Sequence, residues 1–281
     1  MGKLQDQMRM EMELRNFSPK TIKAYLWNMK AYTRHFMKSP DEMGENEIKQ
    51  YLHYLKVEKK VSYSNINIAY SALRFFYVDT LHREWHVEKI PRPKVGRKLP
   101  VVLSREALQK LFAVTANLKH RVILLTTYSA GLRVSEVAHL KITDIDSQRM
   151  QIRVEQGKGQ KDRYTLLSQE LLPELRDYYL QYKPTTWLFE GKGGNVPISV
   201  GTIQRIFKTA KTNAGIYQPA TVHTLRHCFA THLLEDGTDI FTLRELLGHK
   251  SIHTTLRYIH IQRDHLQKVV SPLDQMGRDG S

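Results

Sequence analysis

The sequence predicts a mainly helical protein with one small antiparallel β-sheet, divided into an N-terminal helical bundle and a larger C-terminal domain. Three observations carry this expectation. Apolar residues recur at three- and four-residue spacing along most of the chain, two-residue alternation occurs in one place only, and a basic segment broken by proline and glycine lies about a third of the way along. With 281 residues the chain exceeds the usual length of one domain, so two domains and a linker are expected: 1–89, 90–100 and 101–281.

The first confident helix opens at Ser18, an N-cap followed by Pro19, and carries Ile22, Tyr25, Leu26, Met29, Tyr32 and Phe36 on one face. A second carries Ile48, Tyr51, Leu52 and Leu55. A third, after the polar stretch Ser62 to Asn65, carries Ile66, Ala69, Tyr70, Leu73, Phe76 and Tyr77. These aromatic stripes are read as core rather than as a base-stacking surface. Between Ile90 and Pro100 the chain runs IPRPKVGRKLP, where Pro91, Pro93, Gly96 and Pro100 block regular structure. Arg92, Lys94, Arg97 and Lys98 make this segment a candidate strap along DNA phosphates, with a solvated tether as the alternative.

In the second domain Ser104 caps a helix with Ala107, Leu108, Leu111 and Phe112. The apolar run from Val122 to Tyr128 ends at Ala130 and Gly131, and Val134, Val137 and Leu140 resume a helical face, so Arg133 falls near a break between helices. Met150, Ile152 and Val154 alternate with Gln151 and Arg153, the turn QGKGQKD follows, and Tyr164 and Leu166 complete a hairpin with Lys158 at its tip. The remainder is helical, with stops at Gly237 and Gly248 and a start at Ser251.

Composition narrows the function. The 43 Lys and Arg exceed the 28 Asp and Glu by 15, and the excess is shared, with +8 in residues 1–98 and +7 in the rest. An acidic polymer is the expected partner, and nucleic acid is the first choice. No apolar run approaches the ~18 residues that span a membrane, and MGKLQDQMRMEMELRN lacks a signal-peptide core, so a soluble cytoplasmic protein without a membrane partner is expected. One cysteine, Cys228, excludes an intrachain disulfide and a multi-cysteine zinc site; it is read as a buried structural thiol.

His223 and Arg226, three residues apart near a helix start, form a candidate anion site. On the last helix Ile252, Thr255, Leu256 and Ile259 are expected to face the core, turning Tyr258 outward with its hydroxyl presented. Taken singly, Arg133 could serve only to pair with Glu136, Lys158 as a solvated turn lysine and Tyr258 as a core residue.

The stretches TTYSAGLRVSEVAHL, QGKGQKDRYTLL, HTLRHCFATHLLEDGTDI and LRELLGHKSIHTTLRYIHI, in this order and at these separations, resemble the tyrosine recombinases, also called phage integrases. The resemblance covers nearly the whole chain and is of the minimal, two-domain Xer-like type, with an N-terminal core-site DNA-binding domain and a C-terminal catalytic domain. It implies that Tyr258 attacks the scissile phosphate to give a 3′-phosphotyrosyl bond and a free 5′-hydroxyl. It further implies that Arg133 and Arg226 clamp the non-bridging oxygens and that Lys158 protonates the leaving oxygen. His223 would assist proton transfer at the nucleophile, and His249 would donate to the phosphate. Glu136 would position the site.

The same resemblance implies paired double-stranded core sites, a homo-tetramer on DNA that passes through a Holliday junction, and docking of the C-terminal segment with Ile261, Leu266, Val269, Val270 and Leu273 on a neighbouring protomer. The alternative is packing of that segment on its own subunit. A related recombinase or an accessory protein could join the assembly, and integration, excision and resolution all remain open. His253 departs from the family in being bulky where many relatives carry a small residue.

No cofactor is expected. Seven of the thirteen histidines lie between His223 and His265, and His223 and His227 stand four apart, but Thr224 occupies the place of the zincin glutamate and no further ligands complete a set. No phosphate-binding Gly-rich loop ending in Lys-Ser/Thr is present, which argues against ATP or GTP. Three other readings compete: a type IB topoisomerase, a catalytically silent DNA-binding protein and a metal-dependent transposase.

Overall fold

The structure is a computed structural model, and it describes residues 2–86, 90–92, 100–155 and 162–259. The chain forms two compact units, residues 1–98 and 99–281.

The first unit is helical. It comprises α1 (Gly2–Leu14), α2 (Pro19–Phe36), α3 (Glu45–Val57) and α4 (Tyr63–Phe75), the last continuing through a wider π turn at Phe76–Thr80. Ser18 caps α2 as expected, its Oγ accepting from the Thr21 amide at 3.2 Å, and Pro19 pre-sets the first turn. The aromatic stripes are core: Tyr32, Tyr51, Tyr70, Phe76 and Tyr77 are buried. The Tyr32, Tyr70 and Tyr77 hydroxyls are satisfied inside the bundle, with Tyr77 donating to the Pro40 carbonyl at 2.8 Å. Helix α1 was not foreseen. Its segment is polar overall, but Leu4, Met8 and Met12 recur every four residues; both methionines are buried, and Gln7 Nε2 donates to the Thr80 carbonyl at 3.1 Å. Ile90 and Arg92, assigned above to the linker, pack on this unit. Ile90 is buried, while Arg92 Nε donates to Asn67 Oδ1 at 3.0 Å and its guanidinium lies over Tyr70. Lys94, Arg97 and Lys98 lie outside the described residues.

The second unit packs its helices around α6 (Leu118–Ser129), which follows α5 (Arg105–Ala113) and precedes the short α7 (Val134–Ala138). Val122, Ile123 and Leu124 are all fully buried, so successive faces of α6 are enclosed, as befits a central helix. A three-stranded antiparallel sheet follows, β1 (Ile145–Asp146), β2 (Gln151–Val154) and β3 (Arg163–Leu166), in the order β1-β2-β3. The hairpin is where the alternation placed it, but its inward face differs on β3. Ile152 pairs with Thr165 and Val154 with Arg163, and cross-strand partners share a face, so Arg163 and Thr165 point inward while Tyr164 and Leu166 are exposed.

Helices α8 (Leu171–Tyr182), α9 (Val200–Asn213), α10 (Val222–Glu235), α11 (Ile240–Leu247) and α12 (Ile252–Leu256) complete the unit. Cys228 is fully buried, its sulfur accepting from the Leu103 amide at 3.2 Å, and burial pushes its thiol up to about 11.

Candidate active site

The break after α6 is made by Gly131, whose φ of +59° lies in the left-handed region. A side chain there would place its Cβ 2.2 Å from the Phe229 ring on α10, so the turn and the helix packing both require glycine. The next turn starts α7 at Arg133. Glu136, on the first turn of α7, reaches back with Oε2 to accept from the Arg133 amide at 2.7 Å, and Oε1 accepts from Arg133 Nη1 at 2.6 Å.

Glu136 is also gripped from the sheet. Arg163 Nη1 and Nη2 donate to its two oxygens at 2.9 and 2.8 Å, a bidentate fork. Arg163 Nε donates to the Leu246 carbonyl at 2.9 Å, so this one side chain joins β3, α7 and the end of α11. Gly248 ends α11 with φ +62°, and an added Cβ would sit 2.6 Å from Arg163 Cδ. Burial pushes the Glu136 carboxyl up, but the hydrogen bonds and charge of Arg163 and then of Arg133 outweigh it and hold the group at about 2.

Arg226, on the first turns of α10, is 1% exposed. Its Nη1 donates to the Gly131 carbonyl at 2.7 Å and its Nη2 to the Leu247 carbonyl at 2.6 Å, with Glu136 Oε2 3.7 Å away. Burial and then the charge of Arg133 lower its pKa to about 9, which leaves it cationic at neutral pH. His249 Nε2 lies 3.2 Å from Arg226 Nη2 and its Nδ1 2.9 Å from Thr255 Oγ1. A guanidinium only donates, so Nε2 accepts and Nδ1 carries the ring proton toward Thr255. Burial, followed by the charge of Arg226, depresses His249 to about 3. His223, exposed on one side, is also held below the ordinary imidazole value by desolvation and then by Arg226.

Tyr258 departs from expectation. It is 2% exposed, packs with Phe229, Leu243 and Leu247, and its hydroxyl lies 2.9 Å from His227 Nδ1. Helix α12 stops at Leu256, and the Tyr258 amide bonds back three residues to Thr255. That tighter turn rotates the face away from a 3.6-residue projection, so Thr255 and Tyr258 are buried while Ile259 is exposed. Burial raises the phenol pKa, with the charges of Arg226, Arg257 and Arg133 opposing it.

Comparison along the whole chain shows the family. Residues 76–265 match the model described as "Phage integrase family", and residues 4–87 match "Phage integrase, N-terminal SAM-like domain". The chain belongs to the phage integrase family. As a tyrosine recombinase, it is an enzyme of site-specific recombination by DNA strand cleavage and rejoining. Among its relatives, the Sinorhizobium fredii protein y4qK, provisionally named an integrase/recombinase, is 45% identical over 99% of this chain and 91% of its own. The tyrosine recombinase XerA of Thermococcus kodakarensis is 35% identical over 92% and 90%. The crystal structure of XerA recombinase aligns over 95% of this chain and 96% of its own at 30% identity, with a TM-score of 0.56. A lambda integrase dimer bound to a core site shares the fold at 21% identity, over 90% and 96%, with a TM-score of 0.74.

In this phage integrase fold, five of the six residues singled out from the sequence lie among the described residues. Arg133 and Arg226 converge on Glu136, His249 touches Arg226, and His223 stands one helical turn before His227, the partner of Tyr258. Lys158 lies outside the described residues. Sequence reasoning missed Arg163 and His227 as members of the constellation. From sequence, the four-residue step from His223 to His227 raises only the question of a metal; among the described residues no group of three His, Cys, Asp or Glu is placed to hold one. For Arg163 the signal was the register of β3, which assigns it the inward face. Among the described residues no helix is long and apolar enough to cross a membrane.

Proposed function

We propose that the chain recombines two double-stranded core sites by nucleophilic attack of Tyr258 on a scissile phosphate, giving a 3′-phosphotyrosyl intermediate and a 5′-hydroxyl that later attacks to reseal. The observation that carries this reading is the meeting of Arg133 and Arg226 on the Glu136 carboxylate within electrostatic reach of the Tyr258 phenol. The guanidinium forks take the non-bridging oxygens and stabilise the charge that gathers on a five-coordinate phosphorus. Arg226 is braced by neutral carbonyls of Gly131 and Leu247, so its charge is oriented without being cancelled by those bonds.

In this reading Lys158 protonates the leaving 5′-oxygen, and His249 turns a ring N–H to the phosphate once the anion raises its basicity. His223 assists proton movement at the nucleophile. The arginines supply the electrostatic stabilisation, and the reaction runs without metal or nucleotide. The DNA-bound dimer and Holliday-junction tetramer of lambda integrase support a homo-tetramer on paired sites that proceeds through such a junction.

The test is incubation of wild type and Tyr258→Phe with nicked suicide duplexes carrying candidate inverted core sites, in EDTA, followed by a denaturing gel. A covalent protein–DNA adduct from wild type alone is expected. Adduct formation by Tyr258→Phe would move the nucleophile elsewhere, and a strict need for divalent metal would remove the arginine-only reading.

A further inference from the structure

Resting on the strand-cleavage reading, we propose that His227 is the base that takes the phenolic proton of Tyr258. Of the two histidines on this face of α10, only His227 reaches the phenol among the described residues: its Nδ1 lies 2.9 Å from the Tyr258 oxygen. His223 is one turn earlier, its ring edge-on to that of His227 with centroids 4.6 Å apart. Imidazole nitrogen is a much stronger base than phenol oxygen, so the stronger of the two possible hydrogen bonds runs from the Tyr258 O–H to Nδ1. The Nε2 nitrogen then carries the ring proton. Neutral His227 is also favoured by its half-buried position and by its cationic surroundings: Arg226 precedes it on α10, and Arg257 precedes Tyr258 after α12. His223 on α10 is the other titratable neighbour.

In the cleavage step the Tyr258 O–H bond breaks and its proton passes to His227 Nδ1, forming an imidazolium. The freed oxygen pair bonds to phosphorus, the bond from phosphorus to the 5′-oxygen breaks, and that oxygen takes a proton from the general acid. Resealing runs the same transfers backward, returning the proton from His227 to Tyr258. A docked phosphodiester brings negative charge beside His227, which strengthens it as a base when the proton must move.

The experiment compares single-turnover adduct formation on the suicide duplex by wild type, His227→Asn and His223→Ala, each also made with a fluorinated tyrosine of lower phenol pKa at position 258. Asparagine keeps an acceptor near the Nδ1 position but cannot take a proton. His227→Asn is expected to cleave about 100-fold more slowly with DNA binding retained, and the acidic phenol is expected to restore at least about tenfold of that loss, since it ionises without help. Cleavage by His227→Asn within about threefold of wild type, or a larger rescue by fluorination in His223→Ala than in His227→Asn, would overturn the assignment.

If His227→Asn does not fold, wild type labelled with ¹⁵N-histidine decides. An unprotonated Nδ1 that shifts on Tyr258→Phe substitution supports the proposal, and a protonated Nδ1 refutes it. Absence of any adduct from wild type would count against strand cleavage itself, and the nitrogen spectrum would then settle the His227 contact independently.

Discussion

At the scale of single residues, Glu136 is the joint of the site, because it accepts from both Arg133 and Arg163 while facing Arg226. Replacing it with Gln leaves buried guanidiniums without a counter-charge and is expected to destabilise the second unit by about 3 kcal/mol, read from the midpoint of urea unfolding. Acid should act in the same direction through two windows. His227 and His249 have folded pKa values of about 4 and about 3, below the ordinary 6.5, so the unfolded chain binds protons first as pH falls below 6.5. Each removes up to about 2 kcal/mol by pH 5. Glu136, lowered from 4.5 to about 2, contributes fully above pH 4.5 and loses its contribution toward pH 2. Unfolding midpoints that do not fall between pH 7 and 5 would contradict the neutral, buried histidines. The residue types of Arg133, Arg226 and His249 were legible because their spacing repeats a family pattern. The burial of Tyr258 was not, because a 3.6-residue projection fails once α12 has ended at Leu256.

Between elements, the left-handed ends carry the tightest constraints. Gly248 and Gly237 both have positive φ, but a Cβ on Gly237 would meet nothing within 4 Å, whereas one on Gly248 would strike Arg163. Gly237→Ala should show backbone strain alone, about 1 kcal/mol, and Gly248→Ala about 2 kcal/mol or more together with a loss of adduct formation as Arg163 shifts. Equal losses in both variants would mean that Arg163 moves aside freely. Elements with a cap and a strong apolar period, such as α2, could be read from sequence. Helix α1 could not, because its three inward residues are diluted by charged neighbours, and β1, two residues long, carries too short a pattern to register.

At the scale of the whole molecule, the chain has a surplus of 15 positive charges spread over both units, which is what made nucleic acid legible before any motif. The prolines between Ile90 and Pro100 mark the boundary expected from sequence, and side-chain packing carries Ile90 and Arg92 into the first unit. For the strap reading, changing Lys94, Arg97 and Lys98 together to Gln should weaken DNA binding and flatten the salt dependence of log Kd by roughly 3, near 0.9 for each phosphate no longer neutralised. An unchanged slope would leave these residues as a spacer. What composition could not convey is how charge is apportioned inside the site. Around Glu136 stand the guanidiniums of Arg133, Arg163 and Arg226, three positive charges against one negative, a resting surplus of two. An intact phosphodiester, with a single negative charge, leaves that surplus half cancelled. Addition of a tyrosyl oxyanion brings the five-coordinate phosphorus to roughly two negative charges, and only then are the charges of this four-residue cluster balanced, the phenolic proton being carried outside it on His227. The cluster is thus electrically matched to a species that exists only in passing, and it is mismatched to both the empty protein and the uncut DNA.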